Sequence, residues 1–204
     1  KEQGSIFDSI GCDYPAQYSS SNGVPLTKWS KVKTKLSDID TKELHYVKLP
    51  ENHIVIDFDI KNSEGEKDID KNIKEASKFP QTYAELSKSG KGLHLHYIYT
   101  GDVNDLSRIY DDNIEIKIFT GDSSLRRKLS KCNNLPISSI NTGLPIKGGK
   151  MISFEGIKSE RALRTLIKRN LNKEIHPSTK SSIDFINKIL EDAYNSNMKY
   201  NVTD

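Results

Sequence analysis

Two aspartates, Asp57 and Asp59, are separated by a single residue in the apolar stretch IVIDFDI. The length of the stretch and its β-branched residues predict a strand, and side chains on a strand alternate between two faces. Both carboxylates therefore lie on one face, opposite the isoleucines, where they repel each other. A divalent cation would offset that repulsion, and carboxylate oxygens are the ligands that Mg²⁺ and Mn²⁺ prefer. The pair is therefore a candidate metal site.

Two later stretches repeat this alternation of apolar and polar side chains. In LHLHYIY, His94 and His96 share the face opposite the leucines and tyrosines. In IEIKIF, Glu115 and Lys117 share the face opposite three isoleucines. If these strands neighbour IVIDFDI in one sheet, the polar side chains converge on one exposed surface. Glu115 is then a third candidate metal ligand, and Lys117 is a candidate contact for phosphate.

The turn SKSGKG immediately precedes the histidine strand. Its glycines, Gly90 among them, leave backbone N–H groups unhindered, and Lys91 adds a positive charge, which suits a phosphate-binding loop. The turn lacks the G-x-x-x-x-G-K-[ST] spacing of a Walker A loop. His94 would donate a hydrogen bond to the same phosphates. Carboxylate-held metal beside a phosphate-binding turn predicts nucleotidyl transfer.

The elements that must position these residues follow from the periodicity of the chain. A helix is predicted over DIDKNIKEASKFP, where apolar residues recur at helical spacing and Pro80 ends the pattern. TYAELS and LHLHYIY flank the glycine turn and are predicted to pair as a β-hairpin. DVNDLSRIY is predicted to be a short helix, and NIEIKIF a strand.

The later part of the chain is predicted to be mainly helical. SSLRRKLSKCNN is predicted to be a basic helix and MISFE a short strand. SERALRTLIKRNL and SSIDFINKILEDAY follow as amphipathic helices, the first with Ser159 placed as its N-cap. This order predicts an α+β fold with a mainly antiparallel sheet and C-terminal helices. We expect a catalytic domain over residues 1–156 and a helical region over 157–204, which is a cap or the start of an appended domain.

Composition limits the classes to which the chain can belong. Its 204 residues suit one domain with an appendage, and 34% hydrophobic against 29% charged residues indicates a soluble, polar protein. No apolar run is long enough to cross a membrane, so no membrane partner is expected. Cys12 and Cys132 fit no metal spacing and are expected to be reduced thiols in the cytoplasm. The net charge of +3 combines a basic C-terminal part with an acidic N-terminal part, which suits a polyanionic partner.

The succession VIDFDIK, SKSGKGLHLHY and IEIKIF resembles the three motifs of the archaeo-eukaryotic primase superfamily. The resemblance is greatest to the primase–polymerase domains of phages and mobile elements. That family combines an hhDhD strand, a turn and strand of the SGxGxH type, and a third acidic strand. The resemblance covers about residues 45–120, and SSLRRKLSKCNNLPISSINTGLP is similar to phage primase sequences as well.

Carried onto this chain, the resemblance implies that Asp57, Asp59 and Glu115 hold catalytic Mg²⁺ or Mn²⁺. Glu115 stands at a position where the family often has Asp. The resemblance also implies that His94 contacts the phosphates of the incoming nucleotide, with Ser89 nearby.

Other polar residues have less specific roles. His96 has no fixed counterpart in the family and is a candidate contact for template or nucleotide. Arg126, Arg127 and Lys128 are further candidates for such contacts, although a solvated helix face explains basic residues nearly as well.

The resemblance implies a split α/β primase–polymerase fold, whose catalytic half is an RRM-like sheet. Its activity would be that of a nucleotidyltransferase in DNA replication, with a single-stranded DNA template and NTP or dNTP as partners. Such domains often precede a helicase, and because the chain begins with Lys1, we expect it to be part of a longer protein of a bacterial host cell.

A rolling-circle nickase or relaxase is the first alternative. LHLHY resembles the His-hydrophobe-His strand of those enzymes, in which paired histidines bind one metal and a tyrosine attacks DNA. Tyr110 and Tyr194 are the candidate nucleophiles, but neither stands in a motif of that kind. This alternative leaves the pair Asp57 and Asp59 without a role.

The second alternative is a non-enzymatic RRM-like module that binds nucleic acid. Such modules stack bases on exposed aromatic side chains. Tyr97 and Tyr99, however, share the leucine side of their strand, which is the expected core side. The opposite face is acidic and repels phosphate unless a metal is bound.

Overall fold

The computed structural model describes residues 4–147, 159–171 and 182–195. The chain forms two compact units: residues up to 104 together with 108–139, and residues 105–107 together with those from 140 onward. All the predicted site residues belong to the first unit. Cys12 and Cys132, also in the first unit, form no disulfide.

The strands are short, apart from the two that carry the aspartate and histidine motifs. Their bounds are β1 (Ala16–Tyr18), β2 (His45–Val47), β3 (His53–Phe58), β4 (Ala84–Leu86), β5 (Leu93–Tyr99), β6 (Ile109–Asp111), β7 (Ile114–Lys117), β8 (Leu125–Arg127) and β9 (Ser138–Ile140).

Each unit contains two of the described α-helices. Their bounds are α1 (Ile6–Ile10), α2 (Ile69–Ala76), α3 (Glu160–Leu171) and α4 (Ser182–Asn195), with 3₁₀ turns at Trp29–Lys31, Leu36–Asp38 and Val103–Asp105. None of the helices in the described ranges has both the length and the hydropathy needed to cross a bilayer.

A mainly antiparallel sheet forms the centre of the first unit. Its strands lie in the order β4-β5-β3-β7-β6, and β9 also pairs β5. Each strand in that order is antiparallel to its neighbour, which includes the predicted hairpin of β4 and β5. A smaller antiparallel sheet has the order β1-β2-β8. The predicted α+β class with a mainly antiparallel sheet is confirmed at this level.

One face of the larger sheet is apolar, as the alternation along its strands predicts. Ile54, Ile56 and Phe58 of β3 are fully buried on this face. Helix α2 begins at its N-cap Asp68 and contacts β5. Just beyond the helix, the ring of Phe79 packs edge-on against Phe58 with 5.6 Å between the ring centroids. This core fixes β3 from the side opposite to the aspartates.

The other face of the larger sheet is covered at one end only. Val55 of β3 is fully buried in an apolar cluster with Phe7, Val47 and Leu125, which come from α1 and the smaller sheet. Two positions further along β3, the side chain of Asp57 is 15% exposed. The smaller sheet and α1 therefore enclose one half of this face and leave the half beyond Asp57 accessible.

In the second unit, the two predicted amphipathic helices are confirmed as α3 and α4. They contact each other and bury Leu163 and Ile189. Ser159 is the N-cap of α3, as predicted, since its Oγ accepts a hydrogen bond from the N–H of Ala162 at 3.2 Å. This bond satisfies one of the free donors of the first helical turn.

Two predicted helices have other structures. SSLRRKLSKCNN contains β8, in which Leu125 and Arg127 are buried while Arg126 is exposed. The prediction was wrong because buried and exposed side chains alternate every second residue within this basic run, which is the period of a strand. DVNDLSRIY forms the 3₁₀ turn Val103–Asp105 followed by β6 rather than one helix. The strand predicted for MISFE lies outside the described residues.

Candidate active site

The register of the larger sheet places one polar residue from each of four strands in a line. Glu85 on β4 lies opposite His94 on β5, His94 opposite Asp57 on β3, and Asp57 opposite Glu115 on β7. Residues directly opposite in an antiparallel ladder share a face, with Cβ atoms about 4.5–5.5 Å apart. We call these four residues the polar row. The predicted convergence is therefore present for Asp57, His94 and Glu115. Among the described residues, however, the carboxylates of Asp57, Asp59 and Glu115 do not form a group whose ligand atoms all lie within 4.8 Å of one another.

The polar row extends from the core to the solvent. Its side chains are 1% exposed at Glu85, 10% at His94, 15% at Asp57 and 58% at Glu115. A substrate can therefore approach at the Glu115 end, whereas the Glu85 end is enclosed.

Asp57 lies at the centre of the accessible part of the row. Its Oδ1 is 3.4 Å from His94 Nε2, and its Oδ2 is 3.5 Å from Lys117 Nζ. Burial acts to raise the pKa of Asp57, but the His94 imidazole and the ammonium groups of Lys117 and Lys67 outweigh it and hold that pKa below its ordinary value. Asp57 is therefore an anion at neutral pH, although it is largely buried.

Lysines pair with the three predicted metal-binding carboxylates. Lys67 Nζ lies 2.5 Å from Asp59 Oδ1, and Lys117 forms ion pairs with both Glu115 and Asp57. Burial acts to lower the pKa of Lys117, but its hydrogen bond with Glu115 and the charge of Asp57 raise that pKa overall. The repulsion between carboxylates that the sequence predicted is offset here by ammonium groups on long, partly exposed side chains.

Asp59 follows the last residue of β3 and approaches the glycine turn closely. A Cβ atom built on Gly92 would lie 2.5 Å from Asp59 Oδ1 and 2.6 Å from Ser87 Oγ. Any side chain at this position would displace the carboxylate or the hydroxyl group. Gly92 therefore allows the turn and the second aspartate to lie side by side.

The turn between β4 and β5 is closed by its own backbone and by Ser87. The N–H of Ser87 donates to the carbonyl of Gly92 at 2.9 Å, and Ser87 Oγ accepts from the N–H of Gly92 at 3.1 Å. Gly90 has a φ of +72° and no heavy atom near the position of a Cβ, so this part of the turn is open. Ser89 Oγ lies 3.1 Å from Ser87 Oγ, so the two hydroxyl groups of the turn are neighbours.

The predicted phosphate contact Lys91 has partners that the sequence did not suggest. Its Nζ forms an exposed ion pair with Glu66 at 3.1 Å, and its carbonyl accepts a hydrogen bond from Asn72 Nδ2 at 2.9 Å. The second bond ties the turn to α2. Because the ion pair is exposed, it contributes about 0–1 kcal/mol and leaves the ammonium group available to a ligand.

Arg127 is enclosed in the core and not on a surface that template could reach. Its guanidinium donates to both carboxylate oxygens of Glu85 at 2.8–3.0 Å and to Asp8 Oδ1 at 2.6 Å. Its side chain and both carboxylates are 1% exposed. Burial acts to raise the pKa of Glu85, but Arg127 above all holds it far below the ordinary value. Of the basic candidates for a template contact, Arg126 and Lys128 are exposed.

His96 is also enclosed, which corrects the expectation of an exposed surface along the whole strand. The residue is fully buried, and its Nδ1 shares a hydrogen bond of 3.0 Å with Nε2 of His53. Burial above all lowers the pKa of His96, and it lowers the pKa of His53 to about 3. Both imidazoles are therefore neutral at pH 7, and His96 is not placed to contact template or nucleotide directly.

The enclosed end of the polar row contains a group that could hold a metal ion. One possible ligand atom from each of Glu85, His94 and His96 lies within 4.8 Å of the other two, and all three residues are buried. This group shares His94 with the accessible end of the row. It is nitrogen-rich, whereas the site predicted from sequence consists of carboxylates.

Sequence reasoning missed Glu85, Asp8 and His53. A signal for Glu85 was available, because it is the single charged residue of the short strand TYAELS, opposite the histidine strand of the predicted hairpin. No comparable signal marks Asp8, which is 119 positions from its partner Arg127.

A scan against protein-family models found no match to this chain, and a search of curated proteins found none either.

Proposed function

We propose that this chain is a metal-dependent primase–polymerase domain, which joins nucleoside triphosphates on a single-stranded DNA template by nucleotidyl transfer. The polar row is the observation that carries the proposal. The strands that hold Asp57 and Glu115 are neighbours, and the strand of His94, with its glycine turn, flanks β3 on the other side. In this proposal the larger sheet is the RRM-like catalytic sheet of a split primase–polymerase fold.

Asp57, Asp59 and Glu115 would hold Mg²⁺ or Mn²⁺. Their oxygens suit such hard cations, and the buried Asp57 Oδ1 makes no hydrogen bond among the described residues beyond the long 3.4 Å approach of His94 Nε2. When bound, the ion supplies Lewis acidity, which favours ionisation of a primer 3′-hydroxyl and departure of pyrophosphate.

The lysines of the site have one role before a metal ion binds and another after it binds. Without an ion, Lys67 and Lys117 neutralise the carboxylates that would otherwise repel each other. Their side chains are 33% and 40% exposed, so each can leave its carboxylate and pair with the triphosphate of a bound nucleotide. The carboxylates then become available to the cation without a net loss of ion pairs.

His94 and the glycine turn would bind the nucleotide's phosphates. His94 Nε2 faces the accessible end of the row beside Asp57. The open part of the turn around Gly90, with the hydroxyl of Ser89 and the ammonium of Lys91, offers further donors to phosphate. Exposed Arg126 on β8 is a candidate contact for template. The motif resemblance extends the proposal to a helicase in the same longer chain, in a bacterial cytoplasm.

The test is incorporation of labelled nucleotides on single-stranded DNA with Mg²⁺ or Mn²⁺, resolved on denaturing gels. We expect product from the wild type, none from Asp57→Asn/Asp59→Asn, and wild-type yield from Asp122→Asn. Asp122 is an exposed aspartate outside the polar row and therefore controls for the loss of a surface charge. Product that persists in the double variant would refute the assignment of the carboxylates.

The same gels test the nickase alternative, because a covalent adduct between protein and a nicked strand would replace the extension product. The structure gives this alternative less support than the primase proposal. Tyr110, the candidate nucleophile in the first unit, is half-buried with its ring 5.1 Å from that of Phe79. Tyr194 belongs to α4 of the second unit and is 87% exposed.

A further inference from the structure

We propose that Glu85, His94 and His96 form a second metal site, which takes a divalent transition ion of the Zn²⁺ type. This inference goes beyond the proposed polymerase function. One ligand atom of each residue lies within 4.8 Å of the other two, in a group that is buried throughout. Two imidazoles and one carboxylate are a donor set that suits Zn²⁺, whereas Mg²⁺ prefers oxygen ligands alone.

Two buried imidazole nitrogens in this group need a partner. His94 Nδ1 and His96 Nε2 have no hydrogen bond among the described residues. His96 Nε2 lies 3.5 Å from Glu85 Oε1, which is longer than a good hydrogen bond between these atoms. Buried polar groups are rarely left unpaired, and an ion to which both nitrogens were bound would satisfy them.

The charge of the surrounding network also favours a cation. In the described part of the chain, the side-chain carboxylates of Asp8 and Glu85 both pair with one guanidinium, that of Arg127. Two acidic side chains thus share one basic side chain inside the core. Among the described residues, Arg127 Nε is the donor that hydrogen-bonds to Glu85 Oε1, at 3.0 Å, which leaves a lone pair on that oxygen for an ion.

The hydrogen bond between His96 and His53 suits a histidine that binds a metal through its other nitrogen. With an ion on Nε2, His96 carries its proton on Nδ1 and donates it to His53 Nε2, 3.0 Å away. Metal-bound histidines commonly donate their other N–H in this way, which fixes the ring. An ion on His94 Nδ1 likewise places that residue's proton on Nε2, which faces Asp57 and the proposed nucleotide site.

The experiment is a titration of the chelator-treated protein with Co²⁺, followed by its visible ligand-field absorption, together with zinc analysis of the protein as purified. We expect one Co²⁺ per chain with a tetrahedral spectrum, displaced by Zn²⁺ and not by Mg²⁺. The readout does not depend on nucleotide incorporation, so its failure and that of the polymerase proposal are distinguishable. Absence of stoichiometric Co²⁺ binding by the wild type overturns the site without any variant.

Three glutamine variants test the assignment: one removes a proposed ligand, one removes the hydrogen-bond partner of that ligand, and one is a control. His96→Gln is expected to weaken Co²⁺ binding more than about 100-fold, because loss of an outer-shell partner alone costs about 10–100-fold. His53→Gln removes such a partner and is expected to weaken binding by about 10–100-fold. The matched control is His45→Gln, since His45 is fully buried in the same unit, also has an unpartnered Nε2, and lies outside the group. We expect its Co²⁺ affinity to match that of the wild type.

Other outcomes decide against the site. Co²⁺ binding that survives in His96→Gln but is lost in Asp57→Asn would place the ion at the carboxylates and overturn the proposal. Binding that falls equally in His96→Gln and His45→Gln would show a general effect of losing a buried histidine, and it too would overturn the assignment.

Discussion

Asp57 and His94 lie directly opposite each other on β3 and β5, with His94 Nε2 3.4 Å from Asp57 Oδ1. The aspartate motif on β3 and the histidine motif on β5 are thus paired directly in the ladder of the larger sheet. An imidazole beside an ionised carboxylate is held in place and retains an N–H that can be shared with a nearby phosphate. The separation of the two motifs by 37 positions in the chain has no bearing on their contact, because the ladder brings them together.

Replacement of His94 by glutamine is expected to weaken nucleotide binding selectively. A hydrogen bond to a charged group contributes about 1.5–3 kcal/mol, so the KM for nucleotide should rise by about 10- to 100-fold. Steady-state kinetics with varied nucleotide measures this change, and fluorescence anisotropy with labelled single-stranded DNA provides the control. Equal losses of affinity for nucleotide and for DNA would contradict a specific contact of His94 with phosphate.

Gly92→Ala is expected to impair activity through contact with Asp59. The new Cβ would meet Asp59 Oδ1 at 2.5 Å and Ser87 Oγ at 2.6 Å, and such overpacking typically costs about 1–3 kcal/mol. Urea denaturation and nucleotide incorporation measure the two consequences. Gly65→Asn is the control, because Gly65 has a φ of +81°, which asparagine tolerates, and no neighbour within 4 Å. Wild-type incorporation by Gly92→Ala would show that the close approach is not needed.

Arg127 and Arg126 are adjacent on β8 but should differ greatly in their contribution to stability. Arg127→Met leaves the buried carboxylates of Glu85 and Asp8 without their cation, which we expect to cost about 3–5 kcal/mol. Arg126 is exposed, so Arg126→Met should change the free energy of unfolding by less than about 0.5 kcal/mol. Urea denaturation of both variants measures the difference. Similar values for the two would contradict the buried network.

His45 should make stability depend on pH below neutrality. Burial above all lowers the pKa of this fully buried histidine below 6.5, its ordinary value. Because the unfolded chain then binds one more proton, the contribution of His45 to stability is complete above pH 6.5 and is lost as the pH falls. In His45→Gln the free energy of unfolding should fall less steeply, by up to about 1.4 kcal/mol per pH unit. Urea denaturation between about pH 7 and pH 5 measures both slopes, and identical slopes would exclude the predicted linkage.

Strand motifs were predictable from the sequence because the two-residue period is local. The alternation in IVIDFDI, LHLHYIY and IEIKIF gave the buried and polar faces correctly, and the order of the larger sheet made the polar faces converge. The helices at the C-terminal end were predictable for a similar reason, since their apolar residues recur with the period of a helix.

The enclosure of one end of the site could not be predicted in the same way. It depends on α1 and on the smaller sheet, whose strands have only three residues each and show no long pattern. Arg127 hydrogen-bonds to Glu85, which is 42 positions away in the sequence, and to Asp8, which is 119 positions away. Contacts of this kind are set by tertiary packing, which is why a run predicted to be a basic helix, with Arg127 as a candidate template contact, contains a core arginine.

The most direct test of the central proposal, that Asp57 and its neighbours form a metal-dependent nucleotide site, is Mn²⁺ binding followed by electron paramagnetic resonance with a nucleoside triphosphate present. We expect the wild type to bind Mn²⁺ at the carboxylates and Asp57→Asn to lose that binding. Because His96 is fully buried and is not one of the proposed Mn²⁺ ligands, His96→Gln should retain Mn²⁺. Unchanged Mn²⁺ affinity in Asp57→Asn would contradict the account.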